Sequence, residues 1–454
     1  MDEPNAKKLS ALDATLLVMG GIIGVGIFFT PQIAAGRAYE TWAMLGVWLF
    51  GGGVALCAAF TFAELGASFP KAGGWFVYLR EAFGPFPAFL FAWVVLTVVS
   101  TGATAAVAKF GVLQLSSALP SVVSGDETGQ LAWAIGILLV ITLIAASGVK
   151  SAALVQNICM VSKLAVLALL VMCGLVLVTP ASDVAGAARV AQVQALAERP
   201  DSLLDGVLSA LLPVFFAYGG WQMVSYIAPQ VERPTRTLPR AIVFGVAGVI
   251  AVYLVANFSF IHALGIEGLA ADAGFASRIA SDALGSTGQR LLSAGIAVSA
   301  LGWCVVNIVT TPWLYVAMAR EGLFFERFAK LHPVRGVPLL ALFLQATITI
   351  LYVCAGELGF LVDAVVFVEW VFHGLVAWAL VSMRRGRPEI ERPYTSPLFP
   401  LATLVYLVAA LLVVGSTLWL AGWDVRRTGI LVLASGAIVY ALWRRGVSAA
   451  GASA

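Results

Sequence analysis

Two glycine clusters interrupt long apolar runs of this 454-residue chain. Gly20 to Phe28 reads GGIIGVGIF in the first run, and Phe216 to Gln222 reads FAYGGWQ in the sixth. Hydrocarbon offers backbone groups no water, so an unwound segment at membrane depth must be buried in protein or face a wet cavity. Gly24 and Gly26 permit backbone conformations closed to other residues and the close approach of a ligand. The helical half beyond the first break would aim free N–H groups and its positive dipole end at an anion such as a carboxylate. The half before it ends in free carbonyls, which suit an ammonium group. Matching interruptions at corresponding places in two chain halves point to a solute site. The rival reading of Gly20-x-x-x-Gly24 is a small-residue packing face on a continuous helix; the second cluster, at Gly219-Gly220, favours the break.

Ionisable residues inside apolar runs come next. Lys163, in QNICMVSKL, lies near the middle of the fifth run, where a lysine costs about 2.5–3.5 kcal/mol on insertion scales. It is too central to snorkel easily. A lysine that gives up its proton there could couple proton movement, and one paired with backbone carbonyls could serve packing alone. Glu369 and His373, four apart in the tenth run, share a helical face. Glu369 is a functional candidate as an intramembrane carboxylate, with a Glu369–His373 pair as the structural rival. Lys109 is nearer the outer end of its run and reads as snorkelling. Glu64 and Asp205 lie near run ends, in interfacial or structural positions. His262 and His332 belong to interfaces or loops, and three scattered histidines make no metal site. Cys57, Cys159, Cys173, Cys304 and Cys354 all fall in or at the ends of runs; an odd intramembrane set is neither a disulfide framework nor a metal site. No G-x-x-x-x-G-K loop and no nucleophile–base constellation appears, so neither ATP coupling nor enzyme chemistry is expected.

The elements that must position these residues follow from composition. Hydrophobic residues make up 61% of the chain and charged residues 11%, against about 45–50% and about 25% in ordinary soluble proteins. An all-α polytopic membrane protein is expected, with twelve spans at roughly 11–36, 42–68, 85–115, 131–148, 152–179, 206–228, 239–264, 290–319, 337–355, 358–383, 398–421 and 428–444. The first is too long and too glycine-broken for a cleaved signal. Of the 27 Lys and Arg residues, 18 fall in the segments on one side, among them Lys7, Lys8, Arg384 and Arg387, and seven on the other, including Arg37, Arg189 and Arg199. The positive-inside rule then places both termini in the cytoplasm. The formal net charge of +3 adds little, and nothing suggests nucleic acid. Ser10 and Asp13 form a possible capping box ahead of the first run. Gly73-Gly74 with Trp75 and Tyr78 reads as a turn and interfacial aromatic anchor in the first cytoplasmic loop. The largest polar stretches, 180–205 and 266–289, are expected outside. Five spans from 11 to 179 and five from 206 to 383 would form halves of opposite topology, because an odd number of crossings inverts the second.

The same residues carry a resemblance. GGIIGVGIF with Thr30-Pro31, AELGASFPKAGGWFVYLREAFG from Ala63 to Gly84, FAYGGWQ, RPTRTLPRAI from Arg233 to Ile242, AMAREGLFF from Ala317 to Phe325 and RPEIERPY from Arg387 to Tyr394 closely resemble the amino acid-polyamine-organocation superfamily. The likeness is greatest to the branch of L-type amino acid transporters and their bacterial relatives. It implies a five-plus-five inverted repeat of the leucine-transporter type, with helices 1 and 6 broken and two additional helices. The transport core would occupy 1–395, and helices 11 and 12 with a cytoplasmic tail 396–454. It implies alternating access in the plasma (inner) membrane.

Carried over residue by residue, the resemblance assigns the substrate carboxylate to the N–H groups of Val25, Gly26 and Ile27. It assigns the ammonium to the carbonyls of Ile22, Phe216, Ala217 and Gly219, and makes Phe216 the thin outer gate. Lys163 would stand in for a bound sodium ion, implying sodium-independent transport. Val25 replaces a common serine, so a hydroxyl contact is lost. Gln222 stands where asparagine is frequent, Glu369 lies beside the pocket at another commonly asparagine position, and Pro229-Gln230 replaces an acidic pair. The loop near 116–130 has no cysteine, so a disulfide to a heavy chain cannot form there. The expectation is a carrier, exchanging or proton-coupled, for neutral amino acids, without cofactor or metal. The alternatives are a cationic amino acid or polyamine carrier, in which Glu369 meets the second positive charge, and a non-transporting amino acid sensor.

Overall fold

The computed structural model describes residues 8–123, 125–178, 202–355, 359–420 and 423–452. The expected polar stretch at 180–205, with Arg189 and Arg199, lies outside the described residues as far as 201. Among the described residues every named element is helical, and a lone bridge joins Leu9 to Val231.

The helices in chain order are α1 (Ala11–Ile22), α2 (Thr30–Ala38), α3 (Thr41–Ser68), α4 (Trp75–Phe83), α5 (Pro85–Ala118), α6 (Glu127–Ser147), α7 (Val149–Leu177) and α8 (Leu203–Ala217). There follow α9 (Trp221–Gln230), α10 (Pro234–Ala271), α11 (Phe275–Arg320), α12 (Leu339–Cys354), α13 (Gly359–Gly386), α14 (Leu401–Leu420) and α15 (Trp423–Ala452). Among the described residues, eight helices are long and apolar enough to cross a membrane, counting α8 with α9 as one. Their starts are written in the sequence. Ser10 caps α1 as expected, with Asp13 N–H on Ser10 Oγ at 3.2 Å and Ser10 N–H on Asp13 Oδ2 at 2.9 Å. Asp126 caps α6 through Gly129 N–H at 3.0 Å, and Pro85 and Pro234 occupy first turns, where a missing N–H costs nothing.

The outer face is apolar: Leu143, Leu154 and Leu411 are 61%, 62% and 61% exposed. Such a surface belongs against lipid rather than water. Inside, α10 lies along α3, α11 along α5 and α7, and α1 is wedged between α7 and α10. This places the first glycine cluster at the centre of the bundle.

One expectation needs correction. Trp75 and Tyr78 are not interfacial anchors; both are fully buried at the start of α4. The turn itself is real, with Gly73 and Gly74 at φ 102° and 45°. Gly73 N–H bonds Tyr226 O at 2.9 Å, and a Cβ on Gly74 would fall 2.1 Å from Ser225 Oγ, so the loop is pulled inward onto α9 and takes its aromatics with it. Glu64, expected at an interfacial or structural position, has a structural role. It is 1% exposed and is gripped by Arg384 (2.8 and 2.5 Å), Ser396 N–H (2.7 Å) and Arg392 (3.5 Å). The polar stretch 266–289 is mostly helical, kinked by Gly265 and Gly285 and held by Arg278 between Asp272 and Asp282.

Candidate substrate site

The first glycine cluster ends a helix. α1 stops at Ile22, Ile23 to Val25 are irregular, Gly26–Phe28 makes one tight turn, and α2 begins at Thr30. Gly24 N–H bonds Ile22 O (2.8 Å), Phe28 N–H bonds Val25 O (3.0 Å) and Phe29 N–H bonds Gly26 O (3.2 Å). The N–H groups of Val25, Gly26 and Ile27 find no acceptor among the described residues. The continuous-helix reading is thereby excluded. Gly20 does serve close packing, since a Cβ there would fall 1.8 Å from Gln156 Nε2.

The second cluster also ends a helix. α8 stops at Ala217, and Gly220, at φ 111°, turns the chain into α9, which is wound as a tighter 3-10 helix. That backbone conformation favours glycine.

Three side chains hold the carbonyls left at the end of α1. Lys163, 1% exposed on α7, donates from Nζ to Ile23 O at 2.7 Å and Gly20 O at 3.1 Å. Ser299 donates to Gly24 O at 2.8 Å. The Tyr253 hydroxyl, from α10, lies 3.2 Å from Ile22 O and 3.3 Å from Ala217 O, and so spans both breaks. Gly302 leaves room for the lysine: a Cβ there would sit 3.1 Å from Lys163 Cε.

Between the breaks opens a cavity. Of the residues assigned from sequence to the substrate or its coupling, Ile22, Val25, Gly26, Phe216, Ala217, Gly219, Gln222 and Glu369 line it, as do Gly24, Gly220 and His373; Ile27 and Lys163 do not. Phe216, 43% exposed, faces Phe29 with ring centroids 6.5 Å apart. Gln222 binds the break and the carboxylate together: its Oε1 accepts from Gly220 N–H at 3.0 Å and its Nε2 donates to Glu369 Oε1 at 3.2 Å.

The rival reading, a Glu369–His373 pair, does not form. His373 Nδ1 sits 2.5 Å from the Tyr406 hydroxyl of α14, among the rings of Trp75, Trp221 and Trp370. Helical spacing puts the two residues on one face, but each meets a closer partner from another helix.

Tyr253, Ser299 and Asn307 were not singled out from sequence. For Tyr253 and Asn307 the available signal was a polar group deep in an apolar run, the same signal that marked Lys163.

Fold and cavity together define a polytopic helical membrane protein with an internal cavity between two broken helices. The profile described as amino acid permease matches residues 9–437, and the chain belongs to that family. It is 28% identical to the b(0,+)-type amino acid transporter 1 of Mus musculus over 441 residues, covering 96% of this chain and 88% of the relative. It is 29% identical over 418 residues to the serine/threonine exchanger SteT of Bacillus subtilis (strain 168), covering 91% of each. It is also 29% identical over 402 residues to the large neutral amino acids transporter small subunit 2 of Homo sapiens, covering 88% of this chain and 74% of the relative. The general function is amino acid transport across a membrane, not catalysis.

Proposed function

We propose that this protein is a sodium-independent secondary active carrier, an exchanger or a proton-coupled transporter, that moves neutral amino acids by alternating access. The observation that carries this reading is the free N–H set at Val25 and Gly26 facing a cavity, with a buried ammonium on the carbonyls behind it. A substrate α-carboxylate matches those donors and the helix end beyond them. Ile27 N–H, the third donor of the proposal, meets no acceptor among the described residues.

The substrate ammonium is assigned to the carbonyls of Ile22, Phe216, Ala217 and Gly219. Ile22 O and Ala217 O already meet the Tyr253 hydroxyl, and Phe216 O meets Gly219 N–H at 3.0 Å, but a carbonyl oxygen has two lone pairs and accepts again. Phe216, opposite Phe29, closes the outer side. Lys163 supplies at the first break the positive charge that a sodium ion would otherwise bring.

Five-plus-five inverted symmetry over residues 1–395, two further helices in 396–454, a plasma-membrane location and cytoplasmic termini complete the proposal. The α5–α6 loop supplies no cysteine to a partner, so no disulfide-linked heavy chain is assigned. One observation favours the cationic alternative: among the described residues no basic side chain pairs with Glu369 on the cavity wall.

Purified protein in proteoliposomes loaded with unlabelled amino acid should take up labelled neutral amino acid equally with sodium or choline outside. Strict sodium dependence would overturn the sodium-independent reading. Binding without uptake would make the protein a sensor.

A further inference from the structure

Asn307 stands on the cavity wall one helical turn beyond Trp303, whose Cδ1 would lie 3.3 Å from a Cβ at Gly24. It is 2% exposed, and behind it Ser100 of α5, Thr311 and Tyr315 of α11 and Gln345 of α12 form a buried polar cluster. The direction of each hydrogen bond there is set by the group that has least choice. Tyr315 is fully buried and donates to Gln345 Oε1 at 3.0 Å, its one acceptor among the described residues. With Oε1 engaged, Gln345 turns its Nε2 to Ser100 Oγ at 2.8 Å and Asn307 Oδ1 at 3.0 Å. Thr311 donates to the same Oδ1 at 3.1 Å, and so does Ser100.

Asn307 Oδ1 therefore faces three donors. Turning the amide over would set its N–H groups against those of Gln345 and leave the oxygen without them. The other end of the amide, Nδ2, carries two donors and meets no acceptor among the described residues. Gln222, the other amide on the cavity wall, already directs its Nε2 to Glu369.

We infer that Asn307 Nδ2 reads the substrate side chain, so that the carrier selects small amino acids bearing a hydroxyl or carboxamide oxygen over apolar isosteres. The inference rests on the amino acid carrier reading and narrows it. An isostere without the oxygen leaves a desolvated donor unpaired, and sites built to hydrogen-bond a substrate discriminate by this means more strongly than apolar pockets do.

Competition for uptake into proteoliposomes tests it with two matched pairs, serine against α-aminobutyrate and threonine against valine. The wild type should favour serine and threonine by about tenfold, the factor that one hydrogen bond of ordinary strength supplies. Asn307→Leu, close in shape but without the amide, should bring both ratios to near one. Should that variant fail to fold, Tyr315→Phe leaves Asn307 in place, frees Gln345 to turn over, and should narrow both ratios severalfold at unchanged valine uptake. Equal handling of both pairs by the wild type would overturn the inference and leave amino acid transport standing. Failure of the wild type to bind any amino acid in a thermal-shift assay, or to transport one, would overturn both.

Discussion

Gly21 and Gly220 meet backbone to backbone: a Cβ placed on Gly220 would fall 2.1 Å from Gly21 O, and one placed on Gly21 would fall 2.8 Å from Gly220 O. The two helix breaks are thus one contact, closed by residues that bring no side chain to it. Tyr253 spans the same contact from α10, so movement on either side is felt at both sets of free backbone groups.

Gly26→Leu should weaken amino acid binding by at least about tenfold, since two or more charge-assisted hydrogen bonds to the carboxylate are at stake. A Cβ at Gly26 already lies 3.4 Å from Ala217, so the longer side chain has to enter the cavity. Binding by thermal shift, with size-exclusion chromatography to confirm folding, checks this. Wild-type affinity in the folded variant would remove the carboxylate assignment.

Lys163→Ala leaves the carbonyls of Gly20 and Ile23 without their buried donor. Uptake should fall by more than about tenfold, in keeping with a lost charged hydrogen-bond pair in a dry interior. If instead the variant transports normally, the lysine serves packing only.

Glu369→Gln keeps a side chain that can still meet Gln222 but removes the titrating group from the cavity wall. Binding of neutral amino acids should persist within about twofold, since a neutral hydrogen-bonding partner remains. The pH dependence of uptake should flatten if Glu369 carries the coupled proton. Selective loss of lysine, arginine or polyamine binding shown by the wild type would establish the cationic alternative.

Arg384→Ala strips Glu64, 1% exposed, of its two-pronged partner and leaves only Arg392 and the Ser396 N–H. Leaving a buried charge wholly unpaired costs about 3 kcal/mol or more, and the contacts that remain to Glu64 reduce that cost. Differential scanning fluorimetry in detergent should show a markedly lower melting temperature. Arg384→Ala with Glu64→Gln together should recover part of the loss, which a cost from lost Arg384 packing on Phe399 alone would not.

Local sequence carried the parts of the fold that are themselves local. Length and apolarity marked the long helices, Ser10 and Asp13 marked the first cap, and glycine in hydrocarbon marked both breaks. Lys163 stood out because its cost in lipid is large whatever it touches. The contacts that finish the site join residues far apart in the chain, and no spacing announces them. Gln222 reaches Glu369, Tyr253 reaches Ile22, and Asn307 meets Ser100 and Gln345. Trp75 and Tyr78 were misplaced for the same reason. Their neighbours in sequence are those of a surface turn, while their neighbours in space, Phe62 and Phe91 around the rings, are core.

Lys163 carries a last consequence, an electrical one. Its ammonium is covalently part of α7, where it meets Gly20 O and Ile23 O, and in the proposed alternating-access cycle it cannot leave the protein. A soluble cation in that place would be drawn from one compartment and released into the other, and the voltage across the bilayer would pull on it at each turn of the cycle. A tethered one returns to its starting point every time. With a zwitterion as cargo and no other ion moving, each cycle transfers no net charge. For the exchanger form of the proposal, membrane voltage would then neither drive nor oppose the flux, and the amino acid gradients alone would set its direction.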